Sequence, residues 1–332
     1  MLKHLAFAAS IAVLAFSAIN RAADEGKVIR IGIIGCDTSH VPAFTNLFND
    51  PKAEGDLAGF RVVAAFPGGS PDIPSSRDRV EGYTRQLRDK GIEIVDSIPK
   101  LLEKVDVVLL ESVDGRPHLE QVRPVFAARK PVFIDKPLAG TLADAIAIYE
   151  LGKQSGTPWF SASSLRFSPG IIGNRLTKDV GDIQKVEAWS PCSLEPHHPD
   201  LFWYGVHGVE ILYTIMGPGC LSVERRQDDT TIWVTGKWKD GRVGIFKGAY
   251  NGKSDYGATI TGTRGTKQAG KYEGYKPLCE QIGRFFKTGI SPVDHDETLE
   301  MFAFMEAADE SKRQNGASVT LESVMNKARG AR

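Results

Sequence analysis

The chain has 332 residues, enough for two domains with separate cores. Lysine plus arginine and aspartate plus glutamate both number 41, so net charge is zero and nothing favours a nucleic-acid partner or an anionic membrane surface. A hydrophobic content of 42% with 34 glycines excludes a disordered or fibrous chain and fits an ordinary α/β protein.

The chain begins with a short basic stretch, Met1-Leu2-Lys3-His4, followed by an apolar and small-residue run from Leu5 to Ile19. Small residues continue to Ala23, and Asp24-Glu25-Gly26-Lys27 is fully polar. This layout is that of a secretory signal peptide over residues 1–23, with an uncleaved anchor as the alternative. It implies export to the periplasm or the outside, and the lack of an Arg-Arg pair argues against the twin-arginine route. The cysteines at 36, 192, 220 and 279 are scattered and without zinc-like spacing, so they read as small buried hydrophobes.

Residues 24–157 read as one domain. Val28 to Ile34 is a strand, with a helix after it from Val41 to Asn49. Phe60 to Phe66, Ile92 to Val95, Val105 to Leu110 and Val132 to Pro137 are further strands. Helices are expected from Ser75 to Asp89, from Ile98 to Lys104, from an opening at Gly115-Arg116-Pro117-His118, and from Thr141 to Gly152. Strands alternating with helices predict a Rossmann-type, doubly wound parallel sheet. Trp159 to Ala162 looks like one more strand of that sheet. Residues 158–332 otherwise form a second, α+β domain with a largely antiparallel open sheet between about Ile183 and Thr263. A helix from Gly208 to Met216 interrupts that sheet, and helices at Tyr275–Lys287 and Thr298–Arg313 complete the domain.

Val132-Phe133-Ile134-Asp135-Lys136-Pro137 carries the most chemistry. Three β-branched or aromatic residues make a strand buried on both faces, and Pro137 stops its pairing. Lys136 is thereby delivered to the C-terminal edge of the sheet, where ligands bind in open α/β folds. Partial burial there lowers an ammonium's pKa and suits it to acid/base work. His207 opens a helix whose apolar stripe is Val209, Leu212, Tyr213 and Met216, and a neutral imidazole at that place can act as a general base.

The first βα turn departs from the dinucleotide pattern G-x-G-x-x-G, whose glycine positions hold Gly35, Asp37 and His40. Asp37 places a carboxylate near the phosphate position, unfavourable unless it is paired or turned away. Thr38 and Ser39 can donate to phosphate at the helix N-terminus or cap that helix. No acidic residue follows the second strand to hold a ribose, whereas Ser70 or Arg77 suits a 2′-phosphate. Glu195-Pro196-His197-His198-Pro199-Asp200 has the residue types of a metal site, but its prolines stiffen it and it lacks a helical His pair. It reads as a polar substrate-contacting loop, and no metal site is expected.

Together these pieces resemble the Gfo/Idh/MocA oxidoreductases, the glucose–fructose oxidoreductase and inositol dehydrogenase superfamily. Asp135-Lys136-Pro137 is similar to that family's E-K-P motif, and Arg166-Phe167-Ser168-Pro169 to its R-F-x-P segment. Gly205-Val206-His207 with Glu210 resembles its D-x-G-x-H-x-x-D motif. The stretch from Pro292 through Glu306-Ala307-Ala308 to Leu321 resembles its C-terminal signature. The resemblance implies NAD or NADP on the first domain, tightly held if the protein is exported, and a sugar, cyclitol or glycoside near the second. It implies Lys136 and His207 at the reacting carbon, and a homodimer or tetramer formed through the second sheet. Cofactor contacts are expected from Gly35, Asp37, Thr38, Ser39, His40, Glu111, His118, Asp135 and Lys136. Substrate contacts are expected from Arg166, His197, His198, Asp200, Trp203 and Tyr204. The family's aspartate four residues before the histidine is Trp203 here, leaving Asp200 or Glu195 to substitute. A second functional expectation is a non-redox carbohydrate-binding relative that has lost the dinucleotide site.

Overall fold

The computed structural model describes residues 28–330. The segment read as a signal peptide lies outside them. Among the described residues no helix is long and apolar enough to cross a membrane.

The first sheet contains β1 (Ile29–Ile34), β2 (Phe60–Phe66), β3 (Glu93–Ile94), β4 (Val107–Leu110), β5 (Val132–Asp135) and β6 (Trp159–Ala162). Its order is β3-β2-β1-β4-β5-β6, and every pair described is parallel. The crossovers carry α1 (His40–Phe48), α2 (Pro74–Asp89), α3 (Ile98–Lys104), α4 (His118–Ala127) and α5 (Leu142–Ser155). β4, β5 and β6 are buried at every position, as expected of central strands covered on both faces. The strand order reverses between β1 and β4, and that switch point opens a crevice at the C-terminal edge.

The second sheet has seven strands, β7 (Ile183–Pro191), β8 (Cys220–Gln227), β9 (Thr231–Trp238), β10 (Val243–Ala249), β11 (Gly257–Gly262), β12 (Gly265–Ala269) and β13 (Val319–Thr320). Its order is β12-β11-β7-β10-β9-β8-β13. It is antiparallel except where β7 runs parallel to β10. α6 (Val206–Met216) and α8 (His295–Arg313) cover one face. α6 has no exposed position and is apolar nearly all round, as its place between layers demands. A π-helical turn, Leu201–Gly205, leads directly into it.

β6 completes the parallel sheet at Trp159–Ala162, as the sequence reading of that strand expects. Two features depart from the sequence-based expectation. α7 (Lys276–Thr288) returns to the first domain, where Leu278, Ile282 and Phe285 join Val41, Phe44 and Phe60 in one core. A terminal helix, α9 (Leu321–Gly330), packs on α8 and α5. All four cysteines are buried and free.

Candidate active site

The crevice at the C-terminal edge of β1, β4 and β5 gathers residues from both domains. β5 ends in Asp135, and the Lys136–Pro137 peptide that follows is cis. Lys136 is 8% exposed. Burial pulls its pKa below the ordinary lysine value, while Asp135 opposes the shift. Asp135 accepts the Lys136 backbone N–H at 2.8 Å through one oxygen and stands 2.6 Å from His40 Nδ1 through the other. Burial alone would raise the Asp135 carboxyl, but His40 and Lys136 outweigh it and hold the group below its usual range.

His207 enters from the second domain, in the first turn of α6. Its Nδ1 is 2.7 Å from the Ser163 hydroxyl. Burial, and then the positive charge of Lys136, drive its pKa well below the ordinary histidine value, so the imidazole is neutral. Tyr204 contacts both groups: its ring centroid is 5.9 Å from Lys136 Nζ and 4.9 Å from the His207 ring. The Tyr204 hydroxyl is 3.1 Å from that of Tyr256. Rings of Tyr256, Tyr272 and Tyr275 continue in edge and tilted contacts to His40, whose ring is 4.7 Å from Tyr275. An aromatic wall thus links the histidine of α1 to the histidine of α6.

On the first domain, Gly35 makes the turn after β1 with φ of 88°, and a Cβ there would stand 2.4 Å from the Ser112 amide nitrogen. Only glycine tolerates both conditions. Asp37 is buried and paired, accepting the Ser76 hydroxyl at 2.5 Å and the Val113 N–H at 2.9 Å. Burial raises its pKa, against those two bonds. Ser39 is exposed at the N-terminus of α1 and makes no side-chain capping bond, while Thr38 beside it is buried. Glu111, immediately after β4, is fully buried, and burial followed by the charge of Asp135 pushes its carboxyl well above the usual range.

Other candidates stand elsewhere. Arg166 does not line the crevice. Its guanidinium is buried between Glu210 and Glu297, with Nη1 2.8 Å from the latter, so it holds the second domain together. Asp200 pairs with Arg225 and Lys312 at 2.5 and 2.7 Å, and Glu195 takes His197 Nδ1 at 2.6 Å. Neither carboxylate replaces the family aspartate, and it is Ser163 that sits against His207 instead. His118 is buried with both ring nitrogens facing carbonyls, of Ser112 at 2.8 Å and Leu138 at 3.1 Å. It braces two sheet-edge loops rather than offering a group to a cofactor. His197 and His198 reach across to the first domain, 3.6 Å from Asp72 and 3.0 Å from Asp114. Arg116 bridges those same two aspartates, and Trp203 packs on His198 at 5.0 Å. This cluster latches the domains at the rim of the crevice.

Ser163, Tyr256, Tyr272 and Tyr275 are members of the site that sequence reasoning missed. Tyr272 and Tyr275 lie in a glycine-bounded loop, Gly270-Lys271-Tyr272-Glu273-Gly274-Tyr275, and paired aromatics in such a loop are the signal that marks them.

Residues 29–162 match the model described as an oxidoreductase family with an NAD-binding Rossmann fold, Gfo/Idh/MocA. Among curated proteins no significant match is found. Solved structures share the fold over nearly the whole chain. An oxidoreductase from Thermotoga maritima is 20% identical with a TM-score of 0.70, covering 90% of this chain and 99% of its own. Myo-inositol dehydrogenase from Lactobacillus casei, solved with NAD(H) and myo-inositol, is 17% identical with a TM-score of 0.70, covering 88% and 96%. Scyllo-inositol dehydrogenase from the same organism is 15% identical with a TM-score of 0.71, covering 89% and 99%. With its parallel sheet, its lysine at the edge of β5 and its second mixed sheet, the chain shares the two-domain fold of these solved dehydrogenases, and its residues 29–162 match the NAD-binding Rossmann model of the Gfo/Idh/MocA oxidoreductases.

Proposed function

We propose that the protein oxidises a secondary alcohol of a sugar- or cyclitol-like substrate, with Lys136 and His207 flanking the reacting carbon. The observation that carries this reading is the convergence of an edge lysine and a neutral histidine from different domains on one aromatic side chain, Tyr204.

The residues present suit a dinucleotide. The N-terminus of α1 presents the exposed Ser39 hydroxyl to a phosphate, and the Gly35 turn brings it to the switch point, while Pro42 has no N–H and those of His40 and Val41 turn to Thr38. Asp37 and Glu111 would repel phosphate if ionised, but burial favours their neutral forms. A bound nicotinamide supplies the hydride acceptor. The chain's own groups handle the proton and the charge. The Ser163 hydroxyl can accept Nδ1–H of His207, which leaves Nε2 as the base for the substrate hydroxyl. Lys136 donates to the same oxygen as negative charge builds on it, in a site dry enough to strengthen that interaction. The Tyr204–Tyr256–Tyr272 surface offers hydroxyls and ring faces to a polyol. The polar loop His197–Asp200 limits access at the rim and does not touch the reacting carbon in this reading. Export to the periplasm and association through the uncovered face of the second sheet belong to the same proposal.

The test is a panel of cyclitols, aldoses and glycosides with NAD or NADP, followed by reduced-nicotinamide absorbance. Turnover with one polyol class, lost by about 100-fold or more in His207→Ala and Lys136→Ala, supports the reading. Turnover retained in both variants refutes it.

A further inference from the structure

We propose that His40, Glu111 and Asp135 form a binding site for a single divalent transition-metal ion, beside Lys136. The three residues come from three neighbouring strand ends: His40 opens the helix after β1, Glu111 follows β4, and Asp135 ends β5. The order β1-β4-β5 in the sheet sets them side by side although the sequence separates them widely. One ligand atom from each lies within 4.8 Å of the others. His40 Nδ1 is 2.6 Å from an Asp135 oxygen and 4.0 Å from a Glu111 oxygen.

Glu111 argues most directly for a cation. It is fully buried, yet neither of its oxygens has a hydrogen-bond partner among the described residues. A buried carboxyl group whose oxygens have no partner loses its hydration without return, whether protonated or ionised, and native structures rarely leave one so. The carboxylate stands in a pocket that already holds a second carboxylate and an imidazole, all of them less than 9% exposed. One metal ion satisfies both Glu111 and Asp135 and takes the imidazole lone pair. A metal–ligand bond of about 2.0–2.2 Å sets ligands of one ion roughly 3 Å apart. The His40–Asp135 pair therefore opens by a few tenths of an ångström as the ion replaces the proton between them, and Glu111 closes in.

The donor set chooses the ion. One imidazole and two carboxylates, without thiolate, suit Mn²⁺, Fe²⁺, Co²⁺ or Zn²⁺ better than Ca²⁺ or Mg²⁺, which take all-oxygen shells. The Cys36 sulfur turns to the Phe66 carbonyl. Three protein ligands leave positions for outside oxygens, as in catalytic rather than structural centres. The His40 ring lies 4.7 Å from that of Tyr275, and Asp135 directly precedes Lys136, so the cluster stands between those two side chains. Adjacent hydroxyls of a polyol are the ligands such positions accept. The site stands whether or not a dinucleotide binds, because none of its three residues depends on one for position.

The experiment strips the purified full-length protein with a chelator and titrates in Mn²⁺, Zn²⁺ and Co²⁺. Calorimetry reads stoichiometry, and Co²⁺ absorption reads nitrogen and oxygen ligation. The expected result is a single ion per chain and a rise in the thermal midpoint. Glu111→Gln, which keeps shape, and His40→Asn should each weaken binding by about tenfold or more. Circular dichroism on each variant separates lost binding from lost folding, and whichever variant folds carries the comparison. No binding by the folded wild-type chain at millimolar metal overturns the proposal. So does binding unchanged in the folded variants, which would place the ion elsewhere.

Discussion

Arg166→Met removes a buried guanidinium and leaves its carboxylate partners in place. Arg166 is 6% exposed, Glu210 3% and Glu297 4%, so none of the three can turn to water without opening the domain. Glu297 keeps a second cation, Arg175 at 2.8 Å, whereas among the described residues Glu210 keeps only the Ser163 N–H at 3.3 Å. Breaking one side of a buried pair costs about 3–5 kcal/mol because a charge is left without its partner. Glu210 limits that loss by taking a proton. Burial already raises its pKa against the pull of Arg166, and without the arginine it rises further. A carboxyl whose folded pKa lies above its unfolded one loses stability as pH rises through the folded value. The Arg166→Met deficit should therefore be largest near pH 8 and smaller near pH 5. Urea unfolding followed by fluorescence and circular dichroism at both pH values measures it. Adding Glu210→Gln and Glu297→Gln to Arg166→Met should recover much of the loss. A wild-type midpoint for Arg166→Met, together with a raised substrate KM, would refute this reasoning and return Arg166 to the binding site.

Two further outcomes follow from His207. Ser163→Ala removes the hydroxyl 2.7 Å from Nδ1 and should lower kcat by roughly tenfold or more, with KM little changed and Ser163→Thr partly restoring it. Steady-state kinetics of the three proteins decide this. His207 has a folded pKa well below its ordinary 6.5, so it stays a base in mildly acidic solution. The acid limb of kcat/KM should then fall below pH 6.5, where a pH–rate profile places it. The unfolded chain takes up a proton that the folded one refuses, so folding stability should also decline as pH drops below 6.5. Equilibrium unfolding from pH 7.5 to 5 measures that decline.

The first sheet is legible because its strands are buried on both faces and read as continuous apolar runs, such as Val107–Leu110 and Val132–Ile134. Lys136 and His207 are legible for a related reason, since each sits where a clear element begins or ends. Pairing direction is another matter. The parallel contact of β7 with β10 has no local mark, because alternation looks alike in either direction. The return of α7 to the first core is equally silent, since its apolar stripe fits any core. Long-range partnerships decide the rest. The carboxylates of Arg166 lie 44 and 131 positions away, so an arginine beside a domain boundary looks free to meet a ligand when it is not. His40 and Asp135 are 95 positions apart, and their 2.6 Å contact is set by strand order alone.

The central claim is that the first domain holds a nicotinamide dinucleotide beside Lys136. Its most direct test uses protein purified from its native cells, denatured and assayed for released NAD(H) or NADP(H) by absorbance and mass. The account predicts near-stoichiometric dinucleotide, or saturable binding when NAD and NADP are titrated into the folded chain. No release and no binding would contradict it, and the crevice would then have to serve a carbohydrate ligand without redox chemistry.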